Sequence, residues 1–213
     1  MPEDKPEQKP ASPPPVAAGE KPAAPVPPKP AGEPSKPAAP AKPAGPTPQP
    51  WESEMVARLR GRFGSGIDPK TYLDQNYIVA DPSVVYELLQ LLRNDEQFDY
   101  CVDVTAVHYP QRKDQEFDIV WILYSFEHNQ RVRVKTMIKD GDPAPSVVPL
   151  WSTANWLERE CYDMFGIRFE GHPDLRRILL PDGWQGFPLR KEHGLTQQDN
   201  EWVKINLGIE SGR

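Results

Sequence analysis

The sequence is poor in cysteine: Cys101 and Cys161 are its only two, sixty positions apart. A secreted disulfide scaffold would carry more, and two thiolates cannot complete a metal–thiolate site. No run approaches the about 18 apolar residues that a membrane helix needs, and Met1-Pro2-Glu3-Asp4-Lys5 lacks the apolar core of a signal peptide. We therefore expect a soluble protein in a reducing, cytoplasmic-type compartment.

Sequence motifs for cofactors are also missing. The chain has no GxGxxG, no Walker loop and no CxxC, which argues against a site for nicotinamide, flavin, nucleotide or an iron–sulfur cluster. Glu158, Glu160, Asp163 and His172 leave open a stand-alone carboxylate or metal enzyme. Two positions apart on a helix, however, Glu158 and Glu160 diverge by roughly 200°. We expect no catalytic, cofactor-binding or metal-ligating residue on this chain.

Residues 1–50 contain no aromatic side chain but hold 18 of the 27 prolines. Such a segment cannot bury enough apolar surface to offset its chain entropy. We predict a disordered Pro/Ala/Lys tail of polyproline-II character over 1–50. Residues 51–194 then suit one domain, and 195–213 an irregular C-terminal arm with one weak apolar pattern.

The body has few basic residues for its acids. The tail holds six lysines and five acidic residues, which leaves the body with 19 basic and 26 acidic residues. A general nucleic-acid binder would present a net basic face. We expect no nucleic-acid partner, and an RNA-binding module stays a weak alternative.

Apolar periodicity predicts an α+β fold: a mainly antiparallel sheet with helices packed on one face. Helices are expected at about 51–63 and 82–94, the second with Asp81 as its N-cap. Strands are expected over Tyr72–Ala80, 100–109, 117–126 and 131–138, and the third of these, apolar on both faces, reads as central. In 131–138 the outer face is a basic row.

A third helix is predicted over about 152–165. Ala154, Leu157, Cys161 and Phe165 give it an apolar face, so Cys161 is expected to be buried. Arg159 and Asp163 are spaced i,i+4 and are expected to pair. Gly166 is placed to be the residue after the C-cap.

Beyond Gly166, glycine and proline divide 167–194 into turns whose backbone groups need fixed partners. Five basic residues gather in this part of an acidic chain: Arg168, Arg176, Arg177, Arg190 and Lys191. They can pair with acids of the same chain or anchor another protein, because arginine and aromatic side chains dominate interface hot spots. Both interpretations stay open at this point.

The stretch resembles the C-type subunit of the proton-translocating NADH:quinone oxidoreductase, respiratory complex I. The resemblance rests on Glu158-Arg159-Glu160, Asp163-Met164-Phe165, His172, Arg176 and Ile178-Leu179 at their spacing. Ala154-Asn155-Trp156-Leu157, Gly171-His172-Pro173 and Pro188-Leu189-Arg190-Lys191 strengthen it, and a looser similarity covers about 60–195. Phe187, where histidine is expected, and His193, where tyrosine or phenylalanine is usual, depart from the pattern.

The resemblance implies a peripheral-arm subunit without a redox centre, on the cytoplasmic side of a bacterial inner membrane. It implies packing against the D-type subunit of the complex as the main partner, with the B-type subunit and other peripheral-arm subunits nearby. Flavin and iron–sulfur clusters would belong to partner subunits, and quinone and membrane would be met only through the complex. The residues expected at the partner interface are Glu158, Arg159, Glu160, Asp163, His172, Arg176, Arg177, Arg190 and Lys191.

One alternative from the same structural class remains. The chain could be the equivalent subunit of a membrane-bound hydrogenase or of a ferredoxin- or F420-linked complex. The motif does not separate these relatives from the NADH-linked enzyme.

Overall fold

The structure, a computed structural model, describes residues 46–194 and 200–208. Its helices are α1 (Glu54–Phe63), α2 (Val85–Asn94), α3 (Ala154–Phe165) and α4 (Asn200–Leu207). Its strands are β1 (Gln49–Pro50), β2 (Ile67–Tyr72), β3 (Gln75–Ala80), β4 (Tyr100–His108), β5 (Phe117–Ser125), β6 (Gln130–Ile138), β7 (Ala144–Pro145) and β8 (Phe169–Glu170).

Six strands form the main sheet, in the order β1-β2-β3-β6-β5-β4. All neighbours are antiparallel except β3 and β6, which run parallel. The pair β7–β8 makes a separate, parallel two-stranded sheet. The predicted α+β class and mainly antiparallel sheet are confirmed, and β5, predicted as a central strand, lies between β4 and β6.

Helices cover one face of the main sheet, here called the inner face. Its strand residues, such as Trp121 and Val134, are fully buried. They share one core with Leu59 of α1, Leu89 of α2 and Phe165 of α3. This apolar layer accounts for the alternation of the strands, because every second side chain must enter it.

The stretch predicted as one strand is half of a hairpin. Leu73 and Asp74 both have positive φ, 49° and 58°, as a two-residue turn of type I′ requires. They join β2 to β3. Apolar periodicity predicted β3 but not β2. Pro69 hides β2 from a pattern search, because proline is rare within strands. Pro69 nevertheless lies within β2, and its carbonyl accepts the N–H of Trp51 at 3.2 Å.

The predicted N-cap of α2 is wrong. The carbonyl oxygen of Asp81, not its side chain, accepts the N–H groups of Val84 and Val85, each at 3.1 Å. This turn delays the helix by three residues. At α1 the cap is Ser53, whose hydroxyl accepts the N–H of Val56 at 3.1 Å.

Both edges of the main sheet carry irregular features. Pro50 lies in β1 at one edge. At the other edge, the register of β4 against β5 shifts between Cys101 and Asp103 as a β-bulge. The side chains of Thr153 and Cys161 donate to the carbonyls of Cys101 and Val104.

The two predicted terminal segments fall largely outside the described residues. Of the predicted tail, 1–45 is not described, and Gln49–Pro50 already pairs with Thr71 and Lys70, so the sheet begins before position 51. Of the predicted arm, 195–199 and 209–213 are not described. Between them, Asn200–Leu207 is helical and buries Val203, where an irregular arm was expected. Among the described helices, none has the length and apolar character to cross a membrane.

The first prediction concerns the parallel pair β3–β6. Thr136 is fully buried and its hydroxyl donates to the carbonyl of Ala80 at 2.8 Å. Thr136→Val keeps the shape but leaves that acceptor without its donor. We expect the free energy of unfolding in urea to fall by about 1–3 kcal/mol. Thr136→Ser is the control, because it retains the hydroxyl. If Thr136→Val lowers the free energy of unfolding by no more than Thr136→Ser does, the hydrogen bond does not have the proposed role.

Candidate functional site

Helix α3 buries charged side chains along its inner side. Glu158 and Asp163 are fully buried and Arg159 nearly so, while Glu160 is exposed. The divergence expected for Glu158 and Glu160 is confirmed. Glu158 falls in the stripe that Ala154 and Cys161 define, so its helical spacing, read without regard to charge, already indicates burial.

Glu158 ties α3 to the segment after β7. Its carboxylate accepts the hydroxyl of Ser146 at 2.7 Å and the N–H of Val147 at 2.6 Å. Burial raises the pKa of Glu158 to about 7, although both hydrogen bonds act in the opposite direction. A carboxyl that is half protonated near neutrality invites an acid–base interpretation. Its contacts instead hold two chain segments together.

Asp163 is the centre of the site. One carboxylate oxygen accepts three successive backbone N–H groups, of Ile178, Leu179 and Leu180, at 2.7–3.0 Å. The other accepts the guanidinium of Arg177 at 2.6 Å. Successive N–H groups on one oxygen form an anion nest, here occupied by a side chain of the same protein.

The balance of forces on Asp163 favours its charged form. Burial pushes the pKa of its carboxyl upward, but the N–H groups of Leu180, Leu179 and Ile178 and the Arg177 guanidinium together hold it below the ordinary value. Asp163 therefore stays ionised, and its charge fixes the chain from Arg177 to Leu180 against α3.

The predicted pairing of Arg159 with Asp163 is wrong. Arg159 donates instead to the carbonyls of Arg176 and Arg177, both at 3.1 Å. Its guanidinium also lies 5.2 Å from the ring centre of Trp156. The two charged residues therefore hold the same loop separately. Arg159 binds carbonyl groups of the loop, and Asp163 binds N–H groups of the loop. Helical spacing alone could not predict that the loop, rather than Asp163, would bind Arg159, because the loop lies 17 positions further along the chain.

Arg190 and Phe187 fix the following turn. Arg190 donates to the carbonyl of Phe165 at 2.7 Å and makes a two-pronged pair with Asp140 at 2.8 Å. That pairing lowers the pKa of Asp140. The ring of Phe187 lies over the Gly166 Cα, where a Cβ would come within 2.6 Å. Gly166 has φ 78°, so the predicted glycine after the C-cap is confirmed.

The remaining predicted site residues lie nearer the surface. His172 accepts the N–H of Asp174 on Nδ1, so Nε2 donates to the carbonyl of Asn155 at 3.1 Å. Arg176 is exposed and pairs with Asp174 at 2.9 Å. The backbone of Lys191 donates to the ring of His108, and its side chain is exposed.

Three large apolar side chains stand out beside this network. Trp156, Leu179 and Leu189 are 61%, 60% and 50% exposed. The N–H of Leu179 is held by Asp163 and that of Leu189 by the carbonyl of Met164. We call these three side chains with Glu160 and Arg176 the α3 surface. In it, buried charges fix the backbone that presents the apolar side chains.

The donor set is unsuited to a metal. No group of three or more histidine, cysteine or carboxylate side chains is gathered within residues 46–194 and 200–208. Cys161 is 2% exposed, as expected from the apolar face of α3, and burial raises the pKa of its thiol.

Comparisons with known proteins point in one direction. Residues 78–199 match a family model described as the 30 Kd subunit of the respiratory-chain NADH dehydrogenase. The C-type subunit of the NADH-quinone oxidoreductase of Geobacter sulfurreducens is 38% identical over 154 residues, covering 71% of this chain and 95% of that protein. A C-type subunit of the same enzyme from Rhizobium meliloti is 43% identical over 161 residues, covering 72% and 80%.

Two further matches extend the range. The mitochondrial NADH dehydrogenase [ubiquinone] iron-sulfur protein 3 of Candida albicans is 48% identical over 125 residues, covering 58% of this chain but only 44% of that protein. Among solved structures, a chain of the archaeal membrane-bound sulfane sulfur reductase, a respiratory membrane complex, has a similar fold. The TM-score is 0.59 at 22% identity, covering 73% of this chain and 91% of that one.

A second prediction tests the Asp163 hub, the carboxylate with its four donors. Asp163→Asn places an amide N–H₂ where these donors converge and leaves Arg177 without its buried partner. We expect the free energy of unfolding to fall by about 3–5 kcal/mol. Glu160→Gln, an exposed change on the same helix, should shift it by less than about 0.5 kcal/mol. Similar effects of the two variants in urea titrations would show that Asp163 is not the hub.

A third prediction follows from the raised pKa of Glu158. Between the pKa of an unfolded glutamate, about 4.3, and about 7, the folded chain keeps a proton that the unfolded chain has lost. Stability therefore falls as pH rises through this window. The Glu158→Gln variant lacks this titration, so its unfolding free energy relative to wild type should improve by about 2–3 kcal/mol from pH 4.5 to pH 8. A pH-independent difference between the two proteins would contradict the shift.

Proposed function

The chain belongs to the family of the 30 kDa subunit of respiratory-chain NADH dehydrogenase, and from that premise we propose that it is a non-redox structural subunit of the peripheral arm. In this role it docks against the D-type subunit and supports electron transfer from NADH to quinone coupled to proton translocation. It performs no bond chemistry itself. The observation that carries the proposal is the Asp163 hub, which uses buried charge to fix a surface rather than to face a ligand.

The internal pairing of two arginines of the basic cluster supports this proposal. Arg177 and Arg190 are paired with Asp163 and Asp140 within the chain, so their charges shape the surface instead of meeting a partner directly. Trp156, Leu179 and Leu189 remain exposed beside them. Exposed aromatic and aliphatic side chains on a rigid backbone are suited to an interface, because little entropy is lost when they are covered.

The cysteines of this chain do not fit an iron–sulfur cluster. Such clusters take about four thiolates, and this chain has Cys101 and Cys161 alone, both buried. Burial raises the pKa of Cys101 to about 12, which disfavours the thiolate that a ligand must supply. We propose that flavin and clusters reside on other subunits.

The remaining features of the proposal rest on the family. The D-type subunit is the main partner, with the B-type subunit and other peripheral-arm subunits adjacent. The chain sits on the cytoplasmic side of a bacterial inner membrane and reaches membrane and quinone only through the complex. Relatives named for the NADH-linked enzyme, at 38–48% identity, favour NADH as electron donor over the hydrogenase-, ferredoxin- or F420-linked alternatives.

The fourth prediction tests docking through the α3 surface. Leu179→Glu changes an exposed side chain whose backbone stays held by Asp163, so folding is preserved. A carboxylate buried at an apolar interface without a partner is costly. We expect the amount of chain assembled with the D-type subunit in membranes to fall by about tenfold, with turnover per assembled complex unchanged.

Leu73→Glu is the matched control. Leu73 is 63% exposed, as Leu179 is 60%, but it lies at the turn of the β2–β3 hairpin. That variant should assemble as wild type does. Normal assembly of Leu179→Glu with loss of turnover would instead indicate a direct part in the reaction and overturn the structural role.

A further inference from the structure

The main sheet has a second face that is not occupied by the core. The register of β3, β5 and β6 places ten residues on it, which we call the outer face: Tyr77, Val79, Asp118, Val120, Ile122, Tyr124, Arg131, Arg133, Lys135 and Met137. Apart from Asp118 and Val120, all of them are half-buried or exposed. Val120 is 8% exposed yet stands outside the apolar cluster that the helices share.

The outer face carries aliphatic and thioether side chains. Val79, Val120, Ile122 and Met137 come from three adjacent strands, β3, β5 and β6, with Lys135 between Val79 and Val120 and Arg133 opposite Ile122. Antiparallel sheets often leave one face to water, but that face is then polar. Aliphatic side chains interleaved with arginine on an exposed sheet face are instead typical of a protein interface.

The row that β6 contributes to this face, Arg131, Arg133 and Lys135, is basic in a chain of net charge −6. Lys135 pairs with Asp118 at 3.0 Å. Arg133 reaches only the side-chain oxygen of Gln75, at 3.5 Å. Within residues 46–194 and 200–208, neither Arg131 nor Arg133 forms an ion pair with a carboxylate. Two arginines on one strand without acidic partners, where most other arginines have one, indicate a charge to be met from outside.

A cleft of about 270 Å³ opens beside this row. Its lining residues are Pro48, Tyr72, Tyr77, Arg133 and Lys135. Two aromatic rings and a proline therefore supply apolar lining, and two side chains supply positive charge. Such a cleft accepts an aspartate or glutamate side chain, with the rings packing on its chain neighbours.

We propose that the outer face is a second docking surface, which binds an acidic segment of a partner polypeptide with a carboxylate in the Tyr72–Tyr77–Arg133 cleft and aliphatic side chains over Val120 and Ile122. The partner is another subunit of the same complex, so the inference rests on the proposed function. The two are separable, because the outer face and the α3 surface carry different test residues. A nucleic acid fits less well, since Val120 and Ile122 present aliphatic chains and not rings on which bases stack.

Hydroxyl-radical footprinting tests whether the face is covered. Tyr77 and Met137 are oxidisable, and their labelling is compared between the isolated full-length chain and the chain in membrane-assembled complex. We expect at least about a threefold reduction on assembly. Unchanged labelling of both residues in assembled complex overturns the proposal, as does protection that nuclease treatment abolishes.

Zero-length carbodiimide coupling then identifies the occupant, since it joins the Lys135 amine to a touching carboxylate. Coupling of Lys135 in wild type, or of the new amine in Arg133→Lys, to an aspartate or glutamate of another subunit supports the proposal. Coupling to this chain's own residues before Pro48, or to a second copy, overturns it.

Charge reversal supplies the energetic test. Arg133→Glu should release the chain from assembled complex at about half the salt concentration that wild type withstands. The control is Arg62→Glu, at an arginine of α1 whose side chain is 55% exposed, and it should behave as wild type. If Arg133→Glu is released at the same salt concentration as wild type, the proposed second docking surface is wrong. That outcome would not affect the test of the α3 surface by Leu179→Glu.

Discussion

The carboxylate of Asp163 determines the shape of the region beyond α3. Glycine and proline break the chain there, so it cannot satisfy its backbone groups by regular structure. Asp163 supplies one acceptor for three successive N–H groups and for Arg177, and Arg159 supplies donors for the carbonyls just before them. An irregular segment thereby acquires a single conformation. Removal of either charge would leave buried polar groups unpaired on both sides.

The protein presents two surfaces of different character. The α3 surface owes its rigidity to buried charges and presents isolated apolar side chains, whereas the outer face of the sheet owes its rigidity to the β-ladder and presents aliphatic side chains beside a basic row. Two proposed docking surfaces on one chain agree with its membership in a family of respiratory-enzyme subunits. Stability and binding are not in conflict here, because the residues that fix the α3 surface are not those that it exposes.

Periodicity predicted β4, β5, β6 and α3, because their apolar residues recur at strand or helix spacing. It failed at β2, where Pro69 conceals a strand, and at the start of α2, where the Asp81 carbonyl replaces the side chain that composition favoured. At the site, the motif did not reveal the hydrogen-bond partners of its residues. Arg190 pairs with Asp140, fifty positions away in the sequence, and Asp163 binds a loop that follows its helix. Neither contact can be predicted from neighbouring residues in the sequence.

The treatment of the sheet edges has a consequence for the life of the chain before assembly. An unpaired edge strand can pair with a strand of another molecule, including another copy of the same chain before it is assembled. Pro50 has no N–H to offer at one edge. At the other, the bulge in β4 bends the strand, and side chains of Thr153 and Cys161 occupy its carbonyls. Both edges of the sheet are thereby less suited to pairing with a second copy of the chain.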